Sequence, residues 1–276
     1  MSSVTEKITF YDPIVEDGHK EFNYLFKLKY DCKGSFESKI KPNLPFIGFH
    51  LYSFVYHYRF LKKAKENDVF LIFNNLSLFL ITFLIRDVKC NFIVHNNLDF
   101  ALKSKIHKFF YKRIASKVNL IYLEDRLKKR AEYFFNHKSV NVIAHPVIDV
   151  DLKIKEKTPK VFVSSRNLTE REISLVCNME HTKKVLCNKK LLGVEIPNLE
   201  MGFIEDFDTM LNECSKVYIV GNYKNRASGI LYKALSISGI EIVFSDETYY
   251  NEIVQLISKG IIESKSKIIL NNKINC

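Results

Sequence analysis

The chain has 276 residues, of which 47% are hydrophobic and 26% are charged. This composition excludes a disordered or fibrous protein, and the length suits two domains of roughly 120 to 150 residues each. The net charge of +11 is unevenly distributed, because residues 1–155 hold 26 Lys and Arg against 16 Asp and Glu, whereas residues 156–276 hold 16 against 15. The first half is therefore expected to attract anionic partners, either nucleic acid or the phosphates of a membrane surface.

The predicted elements of the first half alternate between strands and helices. Strands are predicted at 8–11, 69–73, 91–94, 120–123 and 140–144, with a short candidate strand at 46–49. Helices are predicted at 19–30, 52–65, 76–86, 99–117 and 124–135. Residues 33–45 are expected to form a loop, since they contain Gly34, Pro42 and Pro45. The apolar window 69–85 is interrupted by Asn74 and Asn75, so it predicts a strand, a turn and a helix instead of a membrane span.

A charged segment at 149–159 has no apolar period and predicts a linker, after which the alternation resumes. Strands are predicted at 160–163, 184–186, 199–202, 217–220 and 241–244, and helices at 170–177, 205–213, 228–238 and 246–258. Such alternation is typical of parallel sheets covered by helices. We therefore predict an α/β protein with two Rossmann-like domains, 1–150 and 156–276, and expect ligands at the carboxyl ends of the strands, in a cleft between the domains.

The cysteines and the start of the chain indicate the compartment. No Cys-x-x-Cys pair occurs, so neither a zinc site nor a disulfide framework is predicted, and we expect reduced, mostly buried cysteines in a cytoplasmic protein. Residues 1–7 are polar and do not resemble a signal peptide.

The segment 225–229 lies between an apolar strand and a predicted helix. Small residues in this position direct free backbone N–H groups toward an anion. Gly229 allows close approach of the backbone to a ligand, and Ser228 is suited both to cap the helix and to offer a hydroxyl. A phosphate or diphosphate is the expected ligand, although Ser-Gly is also a common helix entry.

Arginines and histidines follow other predicted strands. Arg166 and Arg171 flank the turn after strand 160–163, where two guanidinium groups would clamp a diphosphate; pairing of Arg171 with a surface acid such as Glu172 is the alternative. His95 and His19 follow strands of the first domain and are candidate general bases, with loop bracing as the alternative. A histidine beside a proline, His145, is expected to be structural.

Five segments of the chain resemble those of GT-B-fold glycosyltransferases, similar to the bacterial enzymes that build O-antigens, capsules and other surface polysaccharides. The resemblance covers nearly the whole chain and is carried by DGH at 17–19, VHNN at 94–97, SSRNLTER at 164–171, MGFIEDFDTMLNECSKVYIV at 201–220 and RASGILYKALSISGIEIVFSD at 226–246. The Glu-x7-Glu pair of retaining members is absent, because Asn225 and Lys233 occupy the matching positions.

The resemblance implies the roles of individual residues and the type of reaction. It implies a donor diphosphate held by residues Arg166, Arg171, Arg226, Ser228 and Gly229. It implies a nucleotide base and ribose near Gly202, Phe203, Ile204 and Lys233, an acceptor near Gly18 and Asn96, and His95 or His19 as the base of an inverting enzyme. It further implies a UDP- or GDP-sugar as substrate, no cofactor and no metal, and a lipid-linked or oligosaccharide acceptor.

Basic and aromatic residues alternate on the predicted helix 99–117, a pattern that suits a membrane interface. We therefore expect peripheral attachment to the inner face of the cytoplasmic membrane. Nucleic-acid binding is the rival hypothesis, but no RNA- or DNA-binding motif accompanies the positive charge, so no nucleic-acid partner is expected. The remaining alternatives are another enzyme on the same architecture, such as a nucleotide-sugar epimerase, and a non-catalytic GT-B-like subunit.

Overall fold

The computed structural model describes residues 9–12, 24, 26, 34–37, 46–64, 68–72, 83–84, 90–94, 97–136, 141–147, 156–164, 168–187, 196–202, 204–220, 223 and 227–271. The chain divides into two compact units, of which the first contains Met1–Pro146 and Asn225–Ala227 and the second contains Val147–Lys224 and Ser228–Cys276. Each unit holds one six-stranded sheet, and every strand pairing in both sheets is parallel. The predicted α/β class with parallel sheets is confirmed.

The sheet of the first unit has the order β2-β1-β3-β4-β5-β6. Its strands are β1 (Thr9–Asp12), β2 (Gly34–Glu37), β3 (Val69–Ile72), β4 (Asn91–Val94), β5 (Asn119–Tyr122) and β6 (Asn141–Val142). The described helices are α1 (Phe46–Leu61), α2 (Asn97–Lys103), α3 (Lys105–Ala115) and α4 (Asp125–Phe135). None of the helices within the described ranges is both long and apolar enough to cross a membrane.

The core of the first unit lies between its sheet and the amphipathic helices. Phe92 of β4 and Leu120 of β5 pack in one buried cluster with Ile114 of α3. The hydroxyls of Tyr111 and Tyr122 are hydrogen-bonded to each other inside this cluster, and burial raises the pKa of both. The polar ends of two large core side chains are thereby satisfied, as buried hydroxyls require.

The sheet of the second unit has the order β12-β11-β10-β7-β8-β9. Its strands are β7 (Thr158–Val163), β8 (Lys184–Cys187), β9 (Leu199–Met201), β10 (Cys214–Ile219), β11 (Glu241–Phe244) and β12 (Lys267–Leu270). The helices are α5 (Glu170–Met179), α6 (Phe207–Glu213), α7 (Gly229–Ala234) and α8 (Glu247–Ser258). If β7 to β12 are numbered 1 to 6, the order read from β9 to β12 is 3-2-1-4-5-6, which is the Rossmann order.

Three predictions for the first unit are wrong. Residues 46–49 begin α1 instead of forming a strand, because their apolar residues continue the helical period of the following turns. The expected loop 33–45 contains β2, an edge strand that pairs only with β1. The expected single helix 99–117 is interrupted at Ser104, whose extended backbone (φ −134°, ψ 131°) separates α2 from α3.

The second unit departs from the predictions mainly at element ends. β7 begins at Thr158, inside the expected linker, and β12 was not predicted. α7 ends at Ala234, so it is shorter than the predicted helix 228–238. Four cysteines in the described residues, Cys90, Cys177, Cys187 and Cys214, are buried and form no disulfide, as predicted for them. Most of the predicted helices 19–30 and 76–86 lies outside the described residues.

Candidate functional site

The switch point of the second sheet lies between β7 and β10. These strands are neighbours, with Val163 opposite Tyr218 near their carboxyl ends. β8 and β9 lie on one side of the pair and β11 and β12 on the other, so the chain leaves β7 and β10 in opposite directions. Parallel sheets bind ligands at such a point. The predicted donor residues Arg166 and Arg171 follow β7, and segment 225–229 follows β10, so they follow adjacent strands.

Two hydrogen bonds to tyrosine hydroxyls, joined by a contact between the two tyrosine rings, connect the segments at this edge. Ser164, directly after β7, is hydrogen-bonded through its hydroxyl to that of Tyr223, and both residues are buried. The ring of Tyr223 lies 6.1 Å from that of Tyr249 on α8. The Tyr249 hydroxyl accepts a hydrogen bond from the backbone N–H of Ser228 at 3.1 Å. We call these four residues the hydroxyl network.

The hydroxyl network joins the carboxyl ends of three strands, β7, β10 and β11. The Tyr249 ring packs edge-on against Phe244, the last residue of β11, at 5.5 Å. Sequence reasoning identified Ser228 but missed Tyr223 and Tyr249. Their position in the sequence could have identified them, because each tyrosine follows a buried strand within a few residues. At such a position the ring of a tyrosine can pack in the core while its hydroxyl forms a hydrogen bond.

Ser228 caps α7, as predicted. Its Oγ accepts a hydrogen bond from the backbone N–H of Leu231 at 3.3 Å, and the residue is only 2% exposed. Since its N–H and its Oγ are both engaged within the unit, contact of Ser228 with a diphosphate stays a prediction. Gly229 is exposed, and a Cβ added there would meet no atom of the described residues within 4 Å, so these residues leave the space in front of it open.

Side-chain caps begin the other helices at this edge as well. Thr169 and Glu172 form a reciprocal capping box at α5, in which the Glu172 N–H donates to Thr169 Oγ1 at 3.2 Å and the Thr169 N–H donates to Glu172 Oε2 at 2.6 Å. Asp206 caps α6 and Asp246 caps α8, each through its carboxylate. Arg171 lies in the first turn of α5 with an exposed side chain.

The predicted nucleotide residues lie mainly away from the switch point. Gly202 and Ile204 follow β9, which is the edge strand beyond β8. Gly202 has φ +151°, a backbone conformation that favours glycine, and its N–H donates to the Cys187 carbonyl at 3.1 Å. Lys233 of α7 forms an ion pair with Asp208 of α6 at 2.6 Å, so its contact with ribose stays a prediction.

Several predicted site residues lie outside the described residues. These are Gly18, His19, His95, Asn96, Arg166, Phe203 and Arg226. β4 ends at Val94 as predicted, and it is a central strand between β3 and β5. His145 is buried and its Nδ1 is hydrogen-bonded to the Pro146 carbonyl at 2.8 Å, in agreement with the predicted structural role.

The opposite, amino-terminal edge of the second sheet carries charge. Glu180, only 5% exposed, contacts the ammonium groups of Lys216 at 2.8 Å and Lys183 at 3.2 Å, and it accepts from the Tyr218 hydroxyl at 2.9 Å. Burial alone would raise the pKa of Glu180, but these three partners together lower it below its ordinary value. A second pair, Lys160 with Glu213 at 2.6 Å, lies at the same end of the sheet.

The thiols of Cys177 and Cys214 in the second unit are buried. Burial raises the pKa of Cys214 to about 12 and that of Cys177 to about 11, so neither thiol is an activated nucleophile. Among the residues that the structure describes, no group of three His, Cys, Asp or Glu side chains is arranged to hold a metal ion.

Solved structures are similar to this chain, whereas it matches no protein-family model and a search of curated proteins finds no significant match. This chain is similar to the solved structure of the glycotransferase of kitacinnamycin, with 12% sequence identity and a TM-score of 0.42. The superposition covers 98% of this chain and 87% of that one. A similarity this low is no evidence for the activity of this chain. The evidence for its function lies in the residues and geometry of the second unit.

Proposed function

We propose that the protein is a nucleotide-sugar-dependent glycosyltransferase whose second unit binds the donor. The observation that carries this proposal is the adjacency of β7 and β10 at the switch point of a Rossmann-ordered sheet. One of these strands is followed by two arginines, and the other by a segment of small residues with an open glycine. Fold order alone does not define an activity, so the weight lies on these residues.

The arginines and the glycine turn would stabilise the leaving group. In the proposed reaction an acceptor hydroxyl oxygen forms a bond to the anomeric carbon while the bond from that carbon to the diphosphate oxygen breaks. Negative charge then grows on the departing nucleoside diphosphate, and Arg166, Arg171 and the Gly229 backbone would neutralise it. Two guanidinium groups would supply the positive charge that a metal ion supplies in other transferases.

The first unit is proposed to bind the acceptor. The hydroxyl proton would pass to His95 or His19 in an inverting reaction. A GT-B arrangement of the two units, and a lipid-linked saccharide acceptor in surface polysaccharide synthesis, are the finer forms of this proposal. They are supported by the resemblance of five segments to that family, among which 17–19 and 94–97 resemble its acceptor side.

A thermal-shift screen with UDP, GDP, CMP and their sugars tests the donor site. We expect one nucleoside diphosphate to raise the melting temperature, and Arg166→Ala and Arg171→Ala to abolish or reduce that rise. Lys184→Ala is the matched control, since it removes the same charge from the opposite edge of the sheet, where Lys184 pairs with the exposed Glu200. No shift with any nucleotide would refute the proposal.

A non-catalytic nucleotide-binding subunit is the second candidate. Asn225 and Lys233 stand where retaining relatives carry two carboxylates, and Lys233 is already paired with Asp208. Incubation with labelled nucleotide-sugars and saccharide acceptors distinguishes the two functions. Transfer of label supports the enzyme, whereas binding of the nucleotide without transfer to any acceptor or water supports the subunit.

A further inference from the structure

Exposed apolar side chains are concentrated in the first unit. Among the described residues, the exposed large hydrophobic side chains of the second unit are Met179, Val254 and Ile261. The first unit exposes Tyr24, Leu51, Val55, Phe83, Leu84, Phe100, Ile106, Phe109, Tyr133, Phe134 and Val142. An excess of this kind on one unit marks a surface for interaction.

Helix α3 presents part of this excess on a single face. Its buried residues, Tyr111, Ile114 and Ala115, form the inner side. Ile106 (64% exposed) and Phe109 (58% exposed) are one turn apart on the outer side. Large apolar residues at this spacing, exposed on a helix whose other side is packed in the core, form a ridge that points away from the unit.

A neighbouring phenylalanine extends this ridge. The guanidinium of Arg113, on the same side of α3 as Phe109, lies 4.4 Å from the centre of the Phe83 ring. Phe83 is about half exposed. We call Phe83, Ile106 and Phe109, with the cations of α3, the α3 face.

The charge of the α3 face is positive. The sequence of α3 contains Lys105, Lys108, Lys112 and Arg113 and no acidic residue. On α2, the acid is Asp99, which is buried and forms an ion pair with Lys103 at 2.8 Å. The exposed residues Lys105 and Lys112 lie along one side of the apolar ridge, and Arg113 lies on the ridge beside Phe109, so cations adjoin the side chains that water solvates least well.

We propose that the α3 face docks on the surface of an anionic lipid bilayer. Ile106 and Phe109 insert at the level of the headgroups, and Lys105 and Lys112 lie among the lipid phosphates. Charge complementarity selects this partner, because an apolar ridge bordered by lysines fits a bilayer surface, which is apolar below the headgroups and anionic at the phosphates. Nucleic acid would satisfy the lysines but leave the ridge without a partner.

Flotation with vesicles of phosphatidylcholine, with or without phosphatidylglycerol, tests the proposal at low and at physiological salt. The wild-type protein is expected to float with the anionic vesicles. Ile106→Ser/Phe109→Ser should reduce the bound fraction about tenfold, since two inserted side chains are lost. The control is Val254→Ser/Ile261→Ser on the second unit, which should float like the wild type. All of these positions are exposed, so the melting temperatures should be unchanged.

Two results would overturn the proposal. One is the absence of flotation of the wild type with anionic vesicles at low salt. The other is a Lys105→Gln/Lys112→Gln variant that loses flotation while Ile106→Ser/Phe109→Ser keeps it, because this would reduce the face to a binder of polyanions in general. Nucleotide-induced thermal shifts should be the same in all of these variants, so failure here is distinguishable from failure of the proposed donor site.

Discussion

The two edges of the second sheet are held together by different chemistry. At the amino-terminal edge, Glu180 joins two lysines and a tyrosine in a mostly buried ionic cluster. At the carboxyl edge, the hydroxyl network uses only neutral groups, from Ser164 to Ser228. Paired charges strengthen the fold at the amino-terminal edge, whereas at the carboxyl edge the contacts between the strand ends are neutral and the acids cap helices. The amino-terminal edge is therefore suited to stabilise the sheet, and the carboxyl edge is suited to bind a ligand.

The largest expected effect is on the stability of the amino-terminal edge. Glu180→Gln removes the carboxylate that neutralises Lys216, so we expect a loss of about 3 kcal/mol in the free energy of unfolding. Denaturant unfolding measures this loss. Glu200→Gln is the control, because Glu200 pairs with Lys184 in an exposed position and should cost less than about 1 kcal/mol. Equal losses in the two variants would contradict the assignment of stability to the Glu180 cluster.

The same cluster predicts how stability depends on pH. The pKa of Glu180 is lower in the folded protein than its ordinary value of 4.5. Its stabilising contribution is therefore fully present above pH 4.5 and is lost as the pH falls through the lowered pKa of the folded state. Unfolding measured from neutral to acidic pH should show a smaller decline below pH 4.5 for Glu180→Gln than for the wild type. Identical declines would remove Glu180 from the explanation.

The smallest expected effect on stability is at the carboxyl edge, where we also expect an effect on nucleotide binding. Tyr249→Phe deletes the hydroxyl that accepts from the Ser228 N–H and should cost about 1 kcal/mol of stability. Because that bond fixes the segment before Gly229, we expect the nucleotide-induced thermal shift to fall as well. The matched control is Tyr250→Phe on the same helix, whose ring packs against Phe244 at 6.0 Å. A normal nucleotide shift in Tyr249→Phe would show that the network only supports the fold.

The sequence predicted which segments lie at the carboxyl edge, because strand ends and helix starts leave local signals. β4 and β11 were predicted to the residue, and Ser228 was predicted as a cap. The order of the strands was not predictable, since the pairing of Val163 with Tyr218 joins residues far apart in the chain. For the same reason Tyr249 was missed, because its partner Ser228 is 21 residues away and belongs to another helix.

Errors in the first unit have a local cause. Residues 46–49 are aromatic and β-branched apart from one glycine, which favours a strand, yet they extend α1 because its apolar residues continue at helical spacing. The break at Ser104 was missed because apolar and basic residues recur on both sides of it without interruption. A serine with an extended backbone precedes a new helix there, and no proline or glycine marks the break in the sequence.

The helix starts of the second unit differ in whether they carry acidic side chains. α5, α6 and α8 each carry a carboxylate in the cap or the first turn, among them Glu172, Asp206 and Asp246. α7 has a serine cap and no acid in its first turn. A polyanion that approaches this edge is disfavoured by the acids at the starts of α6 and α8, whereas the start of α5 adds the guanidinium of Arg171 and the first turn of α7 carries no acid. The distribution of charge would therefore steer the ligand toward the two helix starts of the proposed donor site before any specific contact forms.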